Sequence, residues 1–248
     1  MLRKRLVIVL TFNNGVLFRT RNFIPDYRYT LNFVDAWSVD EIVVLDITRP
    51  GEGDPENFRK IVELLAENCF VPLAAGGGVR TLEDMKQLLD IGADKIILNT
   101  AVKDNVSLVT EAANRFGSQC VVVSVDAKKQ KDGDYEVFCG FGKENTGSDP
   151  ATWAKRAEEA GAGEILITSI DKDGTLEGYD NELNRLVSEA VDIPVLVSGG
   201  AGKWQDFVDG FEKGKASAVC TSNIYHFTES SIKNAKQYLD KAGIPVRV

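Results

Sequence analysis

The chain has 248 residues, 44% of them hydrophobic, and a formal net charge of −8. That is enough apolar material for one large domain or two small ones, and the acidic balance excludes a general binder of nucleic acid or of anionic membranes. One histidine, His226, and four cysteines without CxxC-type spacing (Cys69, Cys120, Cys139, Cys220) exclude a histidine-rich zinc site and predict buried free thiols, so neither a metal nor a cofactor is expected.

The basic start "MLRKR" runs into "RLVIVLT" (5–11) with no small-residue cleavage site after it, which predicts a first strand rather than a signal peptide. No run of about 18 apolar residues is present, so no membrane-spanning helix and a cytoplasmic location are expected. Further strands are predicted at "EIVVLDI" (41–47), "VPLAAGG" (71–77), "KIILNT" (95–100), "CVVVSVD" (120–126), "EILITSI" (164–170), "PVLVSGG" (194–200) and "SAVCTS" (217–222). Their near-continuous apolar character suits parallel strands covered on both faces. Between them lie helical patterns such as "DPENFRKIVELLAEN", "TLEDMKQLLDIG", "SLVTEAANRFG", "DPATWAKRAEEAG" and "NELNRLVSEAV". Asp54 and Asp149 precede prolines at helix starts, and Gly92, Gly117 and Gly161 follow helix ends. After the fifth strand, "KKQKDGDYEVFCGFGKENTG" predicts a β-hairpin. Strict alternation of strand and helix predicts an α/β fold, a single (β/α)8 barrel over residues 1–248. An open doubly wound sheet fits less well, because no GxGxxG follows the first strand.

The two halves of the chain, about 1–118 and 119–248, resemble each other. "VDEIVVLDIT" parallels "AGEILITSID", and "AAGGGVRTLED" parallels "VSGGAGKWQDF". A common shift of 123 residues pairs Glu41 with Glu164 and Gly76 with Gly199. The first strand pairs with the fifth at a shift of 115, which sets Thr11 opposite Asp126.

In such a barrel, chemistry belongs at the C-terminal strand ends. Those ends carry Thr11, Asp46, Gly78, Asn99, Thr100, Asp126, Thr168, Asp173, Ser198, Gly200, Ser222 and Asn223. The glycine clusters "AAGGGVR" and "VSGGAGK", each followed one strand later by "NTA" or "TSN", suit the two ends of a bisphosphate; the alternative is tight barrel turns. Asp126 is a candidate general acid or base if burial lifts its pKa, or else a structural hydrogen-bond partner. Asp46, Asp171 and Asp173 are similar but weaker candidates. At the opposite strand ends, Arg5, Glu41, Lys95 and Glu164 predict a ring of alternating charge, either a stabilising network or a gate.

From "MLRKRLVIVL" through "LDIT", "GGGVR", "GADKIILNTA", "FGSQCVVVSVDAK", "GAGEILITSIDKDGT" and "SGGAGK" to "GIPVRV", the chain resembles the cyclase subunit of imidazole glycerol phosphate synthase, the HisF-like family of histidine biosynthesis. The resemblance implies a barrel that docks a HisH-like glutaminase on its bottom face and leads ammonia to a bisphosphate at the top. It implies that Arg5, Glu41, Lys95 and Glu164 form the ammonia gate. It also implies one phosphate site at Gly78, Asn99 and Thr100, and another at Asp173, Gly174, Gly200, Ser222 and Asn223.

One departure stands out. The family's cyclase uses carboxylates on strands one and five; here the second is Asp126, but the first position is Thr11. A threonine hydroxyl cannot replace a carboxylate in proton transfer, and loss of a positioned acid or base removes about 10²–10⁴ in rate. The family's basic residue in the loop after strand one corresponds to Arg19, which binds phosphate but does not give up its proton. A retained gate with a broken acid–base pair resembles the HisF-related proteins of surface-polysaccharide synthesis, which build an acetamidino group on a nucleotide-linked sugar. That branch implies an amidotransferase-like ligase and a phosphorylated or nucleotide-sugar substrate, with no nucleic-acid or membrane partner. The alternatives are a genuine cyclase and a non-catalytic ammonia conduit that activates its glutaminase.

Overall fold

The computed structural model describes residues 3–28, 39–222 and 229–247. In chain order the strands are β1 (Arg5–Asn13), β2 (Val16–Arg21), β3 (Ile24–Arg28), β4 (Glu41–Asp46), β5 (Leu73–Gly76), β6 (Lys95–Leu98), β7 (Val121–Lys129), β8 (Tyr135–Cys139), β9 (Glu144–Asn145), β10 (Glu164–Ser169), β11 (Val195–Ser198) and β12 (Ala218–Thr221). The helices are α1 (Pro55–Asn68), α2 (Leu82–Asp90), α3 (Thr100–Asp104), α4 (Ser107–Phe116), α5 (Pro150–Glu159), α6 (Asn181–Ser188), α7 (Trp204–Glu212) and α8 (Glu229–Lys241).

Eight strands close into a parallel barrel in the order β1, β4, β5, β6, β7, β10, β11, β12 and back to β1. The helices lie between successive strands, so the predicted (β/α)8 barrel is the fold. The unbroken apolar strands now have a physical reason. In β1, Leu6, Ile8, Leu10 and Phe12 face the helical layer, while Val7 and Val9 face the interior. Side chains alternate along a strand, so both faces must be apolar when both are covered. Asp54 and Asp149 cap α1 and α5, accepting from the backbone N–H of Glu56 and Thr152 at 3.0 and 2.9 Å.

Two antiparallel additions rise from the mouth. The predicted hairpin forms from the extension of β7 and from β8, with Tyr135, Val137 and Cys139 buried on alternate positions. A second addition, β2 with β3, folds back on β1 and has a register shift at Arg19 and Thr20. Residues 16–28 carried no strand prediction, because Arg19, Arg21, Pro25 and Asp26 interrupt the alternation on which such a reading rests.

Strand register sharpens the internal repeat and corrects part of it. Thr11 lies opposite Leu45, and Asp126 lies opposite Thr168. Thr11 and Asp126 thus occupy the same rung of equivalent strand pairs. The uniform shift of 123 does not hold for the glycine cluster. Gly76 lies opposite Leu45 and Ser198 opposite Thr168, so Gly76 corresponds to Ser198 and Gly77 to Gly199, a shift of 122. One residue is dropped between the second and third strands of the second half, where loop length is free to change but register is not.

Candidate active site

The barrel mouth opens into a cavity of about 550 Å³. Thr11, Asp46, Gly78, Asn99, Thr100, Asp126, Thr168, Asp173, Ser198 and Ser222 all line it. A smaller cavity of about 30 Å³ adjoins it, with Arg19, Asp173, Gly174, Ser198, Gly200 and Ser222 in its wall. Asn223 lies outside the described residues.

Asp126 sits at 8% exposure near the top of β7. The Asn99 side-chain amide donates to its Oδ2 at 2.7 Å, and the Ser124 hydroxyl approaches Oδ1 at 3.4 Å. Burial raises its pKa from 3.8 to about 7, because an ionised carboxylate there has lost its water; Asn99 and Ser124 oppose the rise and Asp173 adds to it. This carboxyl exchanges protons in the neutral range.

Thr11, on the equivalent rung, is engaged elsewhere. Its hydroxyl donates to the Phe18 carbonyl at 2.5 Å, and the side chain is 7% exposed. It therefore fastens β2 to β1. The Asp46 carboxylate accepts from the Thr48 backbone N–H at 2.9 Å and from the Thr48 hydroxyl, closing a local turn.

Asp173 faces both cavities, yet its oxygens hold the β2–β3 turn: Thr20 donates to Oδ1 at 3.1 Å and the Phe23 N–H to Oδ2 at 3.0 Å. Burial raises its pKa, against the Phe23 N–H, Thr20 and the nearby Arg19 guanidinium. Arg19, matched by the resemblance to the family's basic residue after strand one, lines the smaller cavity and pairs with Asp26 at 2.7 Å. It stands with the second glycine cluster rather than beside Asp126.

The glycines divide by geometry. A Cβ on Gly77 would meet the Asp46 carbonyl at 2.3 Å, and one on Gly174 would meet the Thr20 carbonyl at 2.3 Å. These glycines serve close backbone approach. Gly78, with φ of +68°, would place a Cβ in open space. Of these three, Gly78 is the one whose exposed backbone faces an unobstructed cavity. Thr100 also has an internal partner, since its hydroxyl accepts from the Gly140 N–H at 3.2 Å.

At the opposite end of the barrel the four predicted charges form a closed ring. Arg5 meets Glu41 at 2.6 Å and Glu164 at 2.9 Å; Lys95 meets the same two carboxylates at 2.9 and 2.8 Å. Burial pulls the Arg5 pKa down, but Glu164 and Glu41 outweigh it and the net direction is up. Above the ring the interior is apolar and built partly from small side chains, among them Ala74, Ala218 and Cys220. Burial pushes the Cys220 thiol up, so it stays protonated and neutral.

Sequence reading missed Thr20, Phe23, Arg49 and Phe141, which also line the large cavity. Each lies beyond a predicted strand end, where only the folded loops bring it to the mouth. A family model described as histidine biosynthesis protein matches residues 8–231.

Proposed function

The chain belongs to the histidine biosynthesis protein family of enzymes, and on that premise we propose that it is a HisF-like synthase subunit of a glutamine-dependent amidotransferase, diverged toward acetamidino modification of a surface-polysaccharide sugar. A HisH-like glutaminase docks on the barrel floor. Ammonia passes the ring of Arg5, Glu41, Lys95 and Glu164 and rises through the apolar interior to Asp126. An amidotransferase-like ligase and a phosphorylated or nucleotide-linked sugar complete the system.

The observation that carries this reading is the contrast on one rung. Asp126 titrates near neutrality, whereas the Thr11 hydroxyl is engaged by the Phe18 carbonyl. Ring closure by two carboxylates lacks its second member. Amidination requires less. Neutral ammonia adds to an amide carbon whose oxygen the ligase has activated, its nitrogen becomes cationic, one nearby carboxylate removes the proton, and the activated oxygen leaves with its bonding pair as the amidine forms. An apolar passage supports the reading, because ammonia is a nucleophile only while unprotonated. The near-neutral Asp126 favours chemistry at the mouth over a passive conduit.

The test supplies ammonium salt and the histidine-pathway bisphosphate to the purified chain. Turnover at ordinary cyclase rates would overturn the proposed divergence, as would rescue of a histidine auxotroph lacking its cyclase. In the reconstituted complex, unchanged product formation by Asp126→Asn would leave only the conduit.

A further inference from the structure

The large cavity is not confined to the barrel axis. One arm runs outward beneath the loop after β4, between α1 and α2, where Phe58, Arg59, Gln87 and Leu88 wall it. Arg59 donates to the Gln87 side-chain oxygen at 2.6 Å, bridging the two helices. The Asp126 site does not use this space; the first glycine cluster borders it through Gly78 and Arg80.

Arg49 stands where the arm leaves the mouth. Its guanidinium carbon lies 4.1 Å from the centre of the Phe141 ring, and it makes no salt bridge among the described residues. Of the carboxylates that line this side of the cavity, Asp46 accepts from Thr48, Asp54 from the Glu56 N–H, and Asp84 from the N–H groups of Arg80 and Thr81 just ahead of α2. Two further guanidinium groups, of Arg59 and Arg80, share the wall; Arg59 meets Glu56 at 3.1 Å, and Arg80 has only a long contact of 3.8 Å with Asp104. Phe141 is held in the left-handed region at φ of +62°, between Gly140 and Gly142, which are also left-handed. A bulky residue is rarely found there, and such strain collects at functional positions. Here it presents the ring to Arg49.

We propose that this arm is an anion subsite in which Arg49, stacked on Phe141, receives a phosphate or carboxylate group of the ligand. With one face covered by the ring, the edge N–H donors of the guanidinium remain available for a bidentate contact. The stacked arginine is preorganised, and Arg80, with only its 3.8 Å contact to Asp104, adds positive charge to the wall. The inference is independent of ammonia delivery and concerns ligand shape: the bound molecule reaches away from the barrel axis and ends in negative charge.

The test is an amide-shift titration of the full chain with inorganic pyrophosphate and, separately, with malonate. Shifts are expected at Gly51, Gly53, Arg80 and Gln87, and the tighter probe identifies the anion as phosphate or carboxylate. Arg49→Ala is expected to weaken that binding about ten- to a hundredfold, and Phe141→Gly to weaken it in the same direction. The amide spectrum itself reports that each variant is folded. Shifts confined to Gly78, Asn99 and Thr100 or to Gly174 and Gly200, or unchanged affinity in Arg49→Ala, overturn the subsite. Neither result bears on product formation from ammonia, so the two proposals fail separately.

Discussion

Asp126→Asn has a consequence for stability that follows from burial. In the folded chain this carboxyl binds its proton up to about pH 7, against 3.8 for an unburied group. Between those values the folded state holds one proton that the unfolded state has lost, so stability falls as pH rises. At about 1.4 kcal/mol per pH unit, the gap is worth on the order of 4 kcal/mol, fully present below pH 3.8 and lost once pH passes 7. Asparagine keeps an oxygen for the Asn99 amide and does not titrate. Urea unfolding of both proteins at pH 4.5 and pH 8 measures the effect. Relative to wild type, the variant is expected to be stabler at pH 8 by more than at pH 4.5. A difference independent of pH refutes the claim that Asp126 is a desolvated acid. Activity should move the other way: product formation by wild type rises through about pH 7 as the carboxylate forms, and the variant loses about 10²–10⁴-fold.

Thr11→Val leaves the Phe18 carbonyl without its donor and is expected to lower stability by about 1–3 kcal/mol by chemical denaturation, with the pH profile of activity unmoved. Lys95→Met leaves Glu41 and Glu164 sharing only Arg5; a loss of about 3–5 kcal/mol is expected, partly recovered by adding Glu41→Gln. Gly77→Ala forces a methyl against the Asp46 carbonyl and should yield largely unfolded protein, whereas Gly78→Ala has free space and should lower stability by only about 1–2 kcal/mol for its left-handed backbone. Thermal melts of the two alanine variants side by side check that contrast.

The eight barrel strands were legible because burial on both faces writes a long apolar run into each. The β2–β3 hairpin was not, since its exposed face and Pro25 erase the period-two pattern. Register, and with it the one-residue correction to the repeat, depends on hydrogen bonding across strands and leaves no local mark. The site was legible to the same depth. The repeat pointed to Thr11 as the counterpart of Asp126, but the Phe18 carbonyl that engages its hydroxyl belongs to the missed hairpin. Asp173 was readable as a carboxylate at the mouth, while its grip on Thr20 and Phe23 spans some 150 residues of sequence. Arg49 and Phe141 lie in separate loops and gain meaning only from each other.

The charged ring at the barrel floor is less symmetric than the fold around it. Glu41 and Glu164 are equivalent by the repeat, but Arg5 and Lys95 both come from the first half. Arg5 corresponds to Cys120 at the shift of 115, and Lys95 corresponds to Ala218, since Ala74 pairs with Lys95 as Leu196 pairs with Ala218. Two copies of the first half would bring four cations to two carboxylates; two copies of the second would bring two carboxylates and no cation. Neither half closes a neutral floor with itself. Expressed as separate polypeptides, the halves are therefore expected to favour one another over their own kind at this floor.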